Sequence, residues 1–314
     1  MLQYLIILLD DTSTSFCHYD NTRKRRKLME PDMLKAAIVY AMKEDLRVQF
    51  VYPDYDLPPA HKVLIESIEH SKIQPATCTD GTADVVVIDD WQLLKDYPYC
   101  KETAYVWRTG KCDFFNHHQL IVEALPKIAR LNVVISDVES FDKEDLEDYR
   151  LILQSLAREV TAQYLAGCMP QLNLLTDRMM LGSMNNCDAG WHSLTLAPNG
   201  KFYICPAFYQ EDEANSVGDL AHGLKIPNPQ LYQLEYAPIC RRCDAYQCKR
   251  CIWLNRKTTL EVNTPSREQC VTAHLERNAS RQLLAAIRQA HKDFLPDTDI
   301  KEIDYLDPFE ICRR

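Results

Sequence analysis

The sequence predicts an α/β protein with a cysteine-rich C-terminal part. Short apolar segments alternate with stretches of helical periodicity over the first half of the chain. This alternation is typical of parallel strands that are joined by helices and buried on both faces, in either an open sheet or a partial barrel. Beyond residue 187 the helical periodicity fades, and cysteine, proline and turn-forming residues become frequent.

The predicted strands are apolar runs at residues 5–9, 48–51, 85–88, 103–107 and 132–135. The first predicted helix covers residues 32–44, where Leu34 and Ile38 share one face with Ala41 or Met42. Further helices are predicted from the Pro58-Pro59 pair to Ile68 and at residues 144–166 and 267–292. The segment Pro198-Asn199-Gly200 lies between two apolar runs and predicts a β-hairpin.

Composition excludes several classes of protein. The chain has only 8 glycines and contains neither G-x-G-x-x-G nor G-x-x-x-x-G-K-[ST], so nucleotide binding by those loops is unsupported. A net charge of −9 argues against a nucleic-acid partner that is held by phosphate neutralisation. No apolar run reaches the roughly 18 residues of a membrane helix. The apolar start lacks a basic region and runs into Asp10-Asp11, so it does not read as a signal peptide. We therefore expect a cytoplasmic protein with no membrane partner.

Seven of the 13 cysteines form an array: Cys187, Cys205, Cys240, Cys243, Cys248, Cys251 and Cys270. In a reducing cytosol, clustered cysteines indicate metal binding rather than disulfides. Thiolates are soft ligands that suit zinc and iron–sulfur clusters. The two C-x2-C pairs of the dense core are separated by only four residues, which is tight for two knuckles that close on one zinc ion. The array predicts iron–sulfur clusters, and a zinc module with spectator cysteines stays open as the alternative.

The array resembles the SPASM domain, the auxiliary-cluster module of radical SAM enzymes that modify peptides and proteins. The first half, Cys187-x12-Gly200-x4-Cys205, matches that pattern, and the dense core is one residue shorter in each of two intervals. The resemblance implies two 4Fe–4S clusters. The first would be bound by Cys187, Cys205 and Cys251, and the second by Cys240, Cys243, Cys248 and Cys270. The fourth ligand of the first cluster would be Cys168, or its iron would be open.

The same resemblance implies a partial (βα) barrel of radical SAM type upstream, with a C-x3-C-x2-C loop after the first strand. That loop here reads Ser13-x3-Cys17-x2-Asp20. Oxygen ligands are hard donors and poor substitutes for thiolates on a cluster. The glycine-glycine-glutamate segment of the family is also replaced, by residues 52–56. Both departures argue against S-adenosylmethionine as a cofactor, and an active radical SAM enzyme with altered cluster ligands stays open.

Five short segments resemble CXXX repeat peptide maturases, which are SPASM proteins associated with small bacterial peptides of repeated cysteine. These segments are residues 8–13, 15–19, 51–55, 196–200 and 205–208. This resemblance implies maturation of a ribosomally made, cysteine-rich precursor peptide, alone or with a second maturation enzyme. It identifies no catalytic residue, and a zinc-stabilised peptide-interaction module is the alternative from another class.

Three regions are expected. Residues 1–180 would form a degenerate radical SAM-like partial barrel, residues 181–280 a SPASM iron–sulfur domain, and residues 281–314 a C-terminal helix and tail. The basic run at residues 23–27 is either a solvated turn or a docking site for an acidic peptide leader.

Overall fold

The structure, a computed structural model, describes residues 2–303 and 305–307. Its strands are β1 (Tyr4–Leu8), β2 (Arg47–Val51), β3 (His70–Pro75), β4 (Val85–Ile88), β5 (Ala104–Thr109), β6 (Arg130–Ile135), β7 (Gln171–Leu172), β8 (Ser193–Leu196), β9 (Phe202–Tyr203), β10 (Gly218–Asp219) and β11 (Gly223–Leu224). Its α-helices are α1 (Pro31–Lys43), α2 (Pro59–Ile65), α3 (Trp91–Asp96), α4 (Lys111–His117), α5 (Gln119–Ala124), α6 (Lys143–Leu165), α7 (Asp177–Met180), α8 (Pro206–Glu211), α9 (Ile252–Thr259) and α10 (Arg267–Ala290).

The first of two compact units comprises the chain up to Val87 together with Asp188–Tyr236. Six of its strands follow the order β4-β3-β2-β1-β8-β9, in which every pair is parallel except the β8–β9 hairpin, and β10 and β11 form a separate antiparallel pair. Leu5 of β1 lies beside Val48 on one side and Leu194 on the other. Leu5 and Ile7 are fully buried, as expected for a central strand of a parallel sheet.

The predicted hairpin is confirmed, with Leu196 opposite Phe202. Gly200 has φ +75° in its turn, and the side chain of Met33 fills the space where a Cβ would stand. Glycine adopts that conformation at little steric cost, so the turn depends on it.

The second unit comprises Ile88–Cys187 and the described residues from Ala237 onward. Strands β5, β6 and β7 run parallel in it, and the two long helices α6 and α10 pack against each other. Asp142 precedes the first residue of α6, and its side chain accepts hydrogen bonds from the N–H groups of Glu144 and Asp145 in a capping box. The Ser266 hydroxyl caps α10 by accepting from the N–H of Gln269.

The predicted α/β class is confirmed, and most predicted elements are present within a few residues. The sequence left open whether Ala41 or Met42 completes the apolar face of α1. Ala41 is buried in the structure, whereas Met42 is 65% exposed. Helix α2 ends at Ile65, so its predicted extension to Ile68 is wrong. Strand β3 was not predicted. No helix in the described part of the chain is long and apolar enough to span a membrane. The three expected regions stay predictions.

Candidate metal centre

Four cysteines of the second unit line one cavity: Cys240, Cys243, Cys248 and Cys270. The first two bracket a short 3-10 turn, Cys240–Arg242, and Cys270 lies in the first turns of α10. Among the described residues, no three His, Cys, Asp or Glu side chains are grouped to hold a single metal ion. The four cysteines thus share one cavity.

Two of these sulfurs accept hydrogen bonds from the backbone two residues further on. The N–H of Ala245 donates to Cys243 Sγ at 3.4 Å, and the N–H of Arg250 donates to Cys248 Sγ at 3.4 Å. The ring of His274 also reaches Cys243, with Nε2 at 3.4 Å from Sγ, while its Nδ1 donates to the carbonyl of Leu306. Hydrogen bonds to sulfur orient thiolate ligands and tune the group that they bind.

Burial dominates the electrostatics of these thiols. It raises the pKa of Cys240 to about 11, with a further increase from Cys243 and an opposing effect of Arg250. Burial, followed by the neighbouring Cys248, Cys240 and Cys243, holds the pKa of Cys270 well above its usual value. Neighbouring thiols thus raise the pKa of both Cys240 and Cys270, as expected for side chains that line one cavity. Without a metal they are protonated at neutral pH, and metal binding must release these protons.

Charged side chains surround the same loop. The Arg277 guanidinium donates to Asp244 at 2.8 Å, and Arg178 donates through Nε to the carbonyl of Asp244 at 2.6 Å. Arg250 lines the cavity and donates to the Asn186 side chain at 2.9 Å. The three arginines are 0%, 3% and 1% exposed, respectively, and arginine is almost never fully buried unless it is paired.

Cys187 lies beside the second C-x2-C pair in the same unit. Its N–H donates to the carbonyl of Lys249 at 2.9 Å, and the N–H of Asn185 donates to the carbonyl of Tyr246 at 2.8 Å. Burial, and next the proximity of Cys187, raise the pKa of Cys251 to about 12. The structure thus brings Cys187 and Cys251 together. Cys205 lies in the first unit between β9 and α8, and its membership of the same site stays a prediction.

The loop after β1 uses Ser13 for a structural purpose. The Ser13 hydroxyl donates to the carbonyl of Val51 at 2.8 Å and accepts from the N–H of Asp10 at 3.0 Å, and the residue is 1% exposed. Cys17 is half-buried and Asp20 is exposed. Ser13 stands where the family has its first cluster-binding cysteine. Its hydroxyl is instead buried and hydrogen-bonded to backbone groups. This arrangement does not fit a cluster held by Ser13, Cys17 and Asp20.

Two aspartates at the end of β1 each accept a hydrogen bond from a tyrosine. Tyr55 donates to Asp10 at 2.9 Å, and Tyr209 donates to Asp11. The guanidinium of Arg23 lies 4.2 Å from the Tyr209 ring centroid, and that of Arg26 lies 4.3 Å from the Tyr55 ring centroid.

Two arginines of the basic run, Arg23 and Arg26, thus contact tyrosine rings of the first unit. Arg23 also donates to Glu213 at 3.1 Å. Lys24, Arg25 and Lys27 are exposed, so the hypothesis that the run docks an acidic leader stays a prediction for these three residues. The sequence carried no signal for the roles of Tyr209 and Glu213, because they lie far along the chain from this loop.

No protein-family model matches the chain, and no curated protein sequence matches it. Among solved structures, it is similar to native anSMEcpe with bound AdoMet, with a TM-score of 0.60 and 13% identity over 92% of this chain and 100% of that one. The complex of anSMEcpe with AdoMet and the Cp18Cys peptide gives a TM-score of 0.59 and 13% identity, over 91% of this chain and 99% of that chain. Streptococcus suis SuiB bound to precursor peptide SuiA gives 0.43 and 11%, over 74% and 64%. The likeness to anSMEcpe confirms the predicted fold class.

Proposed function

We propose that this protein matures a ribosomally made, cysteine-rich peptide with the help of two 4Fe–4S clusters and without cleavage of S-adenosylmethionine. The observation that carries this proposal is the cavity lined by Cys240, Cys243, Cys248 and Cys270. Four thiols on one enclosed cavity are a complete ligand set for a 4Fe–4S cluster.

The number of cysteines at the cavity and the hydrogen bonds to their sulfurs support a cluster, with a zinc module as the alternative. A structural zinc ion needs its sulfurs to converge at about 2.3 Å from one point. The four cysteines that line one cavity would give each iron of a 4Fe–4S cluster one sulfur ligand. The N–H groups of Ala245 and Arg250 then donate to ligand sulfurs, a feature that tunes cluster potentials.

The loop after β1 supports the proposal that S-adenosylmethionine is not cleaved. The Ser13 hydroxyl is held between Val51 and Asp10 in the interior. A cluster at this loop would rely on oxygen ligands at two of three positions, and these bind iron–sulfur clusters weakly. The chain would act by a route that does not use this loop, or it would present the peptide to a second maturation enzyme.

The first cluster supplies a reason for a cysteine-rich substrate. Cys187, Cys205 and Cys251 would hold three of its irons, and the fourth iron would accept a thiolate from the peptide. Binding would deprotonate that thiol and raise its reactivity. Cys168 is the alternative fourth ligand. It lies just after α6, where its N–H donates to the carbonyl of Gln163 at 2.9 Å.

The experiment adds a C-x-x-x repeat peptide to the anaerobically reconstituted protein and follows iron ligation by Mössbauer and electron paramagnetic resonance spectroscopy. We expect one iron to change its ligation in the unmutated protein and in Cys168→Ala. The matched control is Cys100→Ala, an exposed cysteine outside the array, which should behave as the unmutated protein does.

Two results would contradict the proposal. The first is an unchanged spectrum in the unmutated protein together with cluster loss in Cys168→Ala, which would mean that the site is closed. The second is formation of 5′-deoxyadenosine from S-adenosylmethionine under reducing conditions, which would restore the radical SAM alternative.

A further inference from the structure

The basic run at residues 23–27 lies on a loop that is tied to the segment after β1 at both ends. Before the run, the Asn21 side chain donates to the carbonyls of Asp11 and Ser13, both at 2.8 Å. At its end, the carbonyl of Lys27 accepts from the N–H of Asp11 at 3.2 Å. Both ends of the loop thus bond to the same buried segment, which restrains its backbone before any partner binds.

Two arginines of the basic run contact carboxylates of the first unit. Arg23 donates to Glu213 at 3.1 Å and lies 3.5 Å from a carboxylate oxygen of Asp11. Arg26 lies 3.7 Å from a carboxylate oxygen of Asp54. Each guanidinium also lies over a tyrosine ring, at 4.2 Å and 4.3 Å from the ring centroids. These contacts restrain two side chains of the run, one near each end.

The other three basic side chains of the run, Lys24, Arg25 and Lys27, are exposed. Within the described residues, the carboxylates that form ion pairs with the run contact Arg23 or Arg26, and none of them reaches these three. The hydrogen bond from Arg23 is the largest effect that lowers the pKa of Glu213, and the more distant Lys27 adds a minor one. The loop therefore presents three cations to solvent, where an anionic partner can reach them.

The loop adjoins the carboxyl end of a central strand. Asp10, just after β1, forms an antiparallel bridge with Leu28, and β1 pairs in parallel with β2 and β8. Ligands of open α/β sheets bind outside the carboxyl ends of the strands. A peptide that is held on the loop would therefore begin at this edge of the first unit.

The charge of the whole chain favours a short anionic partner. A long polyanion such as a nucleic acid would be repelled by the net charge of −9. A short acidic peptide segment needs only the local positive charge of the loop.

We propose that Lys24, Arg25 and Lys27 dock an acidic segment of the precursor peptide, outside its cysteine repeat. This inference rests on the proposed function and adds recognition of the peptide by charge. Because the loop is restrained before binding, docking costs the protein little conformational entropy. Exposed ion pairs are individually weak and are screened by salt, so the docking depends on several of them together.

The experiment measures the affinity of the reconstituted protein for two fluorescein-labelled peptides by fluorescence anisotropy. Both peptides carry the same C-x-x-x repeat. They differ only in the segment before it, which is all glutamate in one peptide and all glutamine in the other. At low ionic strength we expect the glutamate peptide to bind about tenfold more tightly, since each exposed ion pair contributes a few-fold. Added salt should reduce this difference.

The test variant reverses the three exposed charges of the run, as Lys24→Glu, Arg25→Glu and Lys27→Glu together. It should bind the glutamate peptide no more tightly than the glutamine peptide. At saturating peptide, the change in iron ligation that the cysteine repeat causes should persist in this variant, because the repeat binds elsewhere.

The matched control reverses three exposed lysines of the second unit and so has the same net charge as the test variant. These substitutions are Lys95→Glu, Lys101→Glu and Lys143→Glu. The control should keep the preference for the glutamate peptide, which separates the local charge of the loop from the charge of the whole protein.

The outcomes separate this inference from the function on which it rests. Equal affinity of the unmutated protein for the two peptides would overturn the inference alone, and so would an equal loss of preference in the control. Tighter binding of a labelled oligothymidylate than of the glutamate peptide would assign the loop to nucleic acid and overturn the peptide role. A glutamate preference without any change in iron ligation would support the docking loop and contradict the proposed function.

Discussion

Replacement of Ser13 by alanine tests whether the buried hydrogen bonds of its hydroxyl stabilise the loop after β1. The hydroxyl makes two buried hydrogen bonds, to the carbonyl of Val51 and from the N–H of Asp10. Its removal leaves one buried donor and one buried acceptor without this partner, which costs about 1–3 kcal/mol. Because about 1.4 kcal/mol corresponds to a factor of ten, the loop should open roughly 5 to 150 times more often.

Hydrogen–deuterium exchange of the cluster-loaded protein measures this opening directly, since local unfolding governs the exchange of buried amides. We expect faster exchange of the amides around Asp10 and Thr14, whose own N–H groups bond to Ser13 and Tyr52. Ser67→Ala is the matched control, because the exposed Ser67 hydroxyl donates only to the nearby carbonyl of Leu64. Equal exchange in both variants would refute the structural role of Ser13.

Two further predictions concern iron content and pH. Cys17→Ala should keep its iron, whereas Cys243→Ala should lose about four irons, and a loss of about four irons in Cys17→Ala would reveal a third cluster. Burial raises the pKa of the Glu276 carboxyl from 4.5 to about 7, although Tyr149 and Gln247 donate hydrogen bonds to it. Folding then favours the protonated form, so this group's contribution to stability is lost as pH rises from about 4.5 to 7. Between about pH 4.5 and 7, the melting temperature of Glu276→Gln should depend less on pH than that of the unmutated protein. An identical pH profile in both proteins would contradict the raised pKa of Glu276.

Much of the fold could be predicted because hydrophobic patterns are local. Strands β1, β2, β4 and β6 are short apolar runs that are visible without any knowledge of their neighbours. Strand β3 was missed because its sequence contains His70, Ser71 and Lys72. Lys72 is buried in the structure and forms an ion pair with Glu66 at 2.6 Å. That ion pair joins residues only six apart in the sequence, but it is not part of a hydrophobic pattern and so gave no signal for a strand.

The sequence predicted the cysteines of the candidate site. It did not predict the charged and polar side chains that surround them. The dense C-x2-C spacing is a local signal, and the grouping of Cys270 with the core came only from the resemblance. Nothing in the sequence indicates that Arg250, rather than the exposed Arg241, lines the cavity. The role of Ser13 as an internal hydrogen-bonding group likewise depends on Val51, which lies on another strand.

The most direct test of the account is the metal and sulfide content of anaerobically purified, reconstituted protein. Two 4Fe–4S clusters predict about eight irons and about as many acid-labile sulfides per chain. Mössbauer spectra should show 4Fe–4S signals from both sites. Stoichiometric zinc with negligible sulfide would contradict the account.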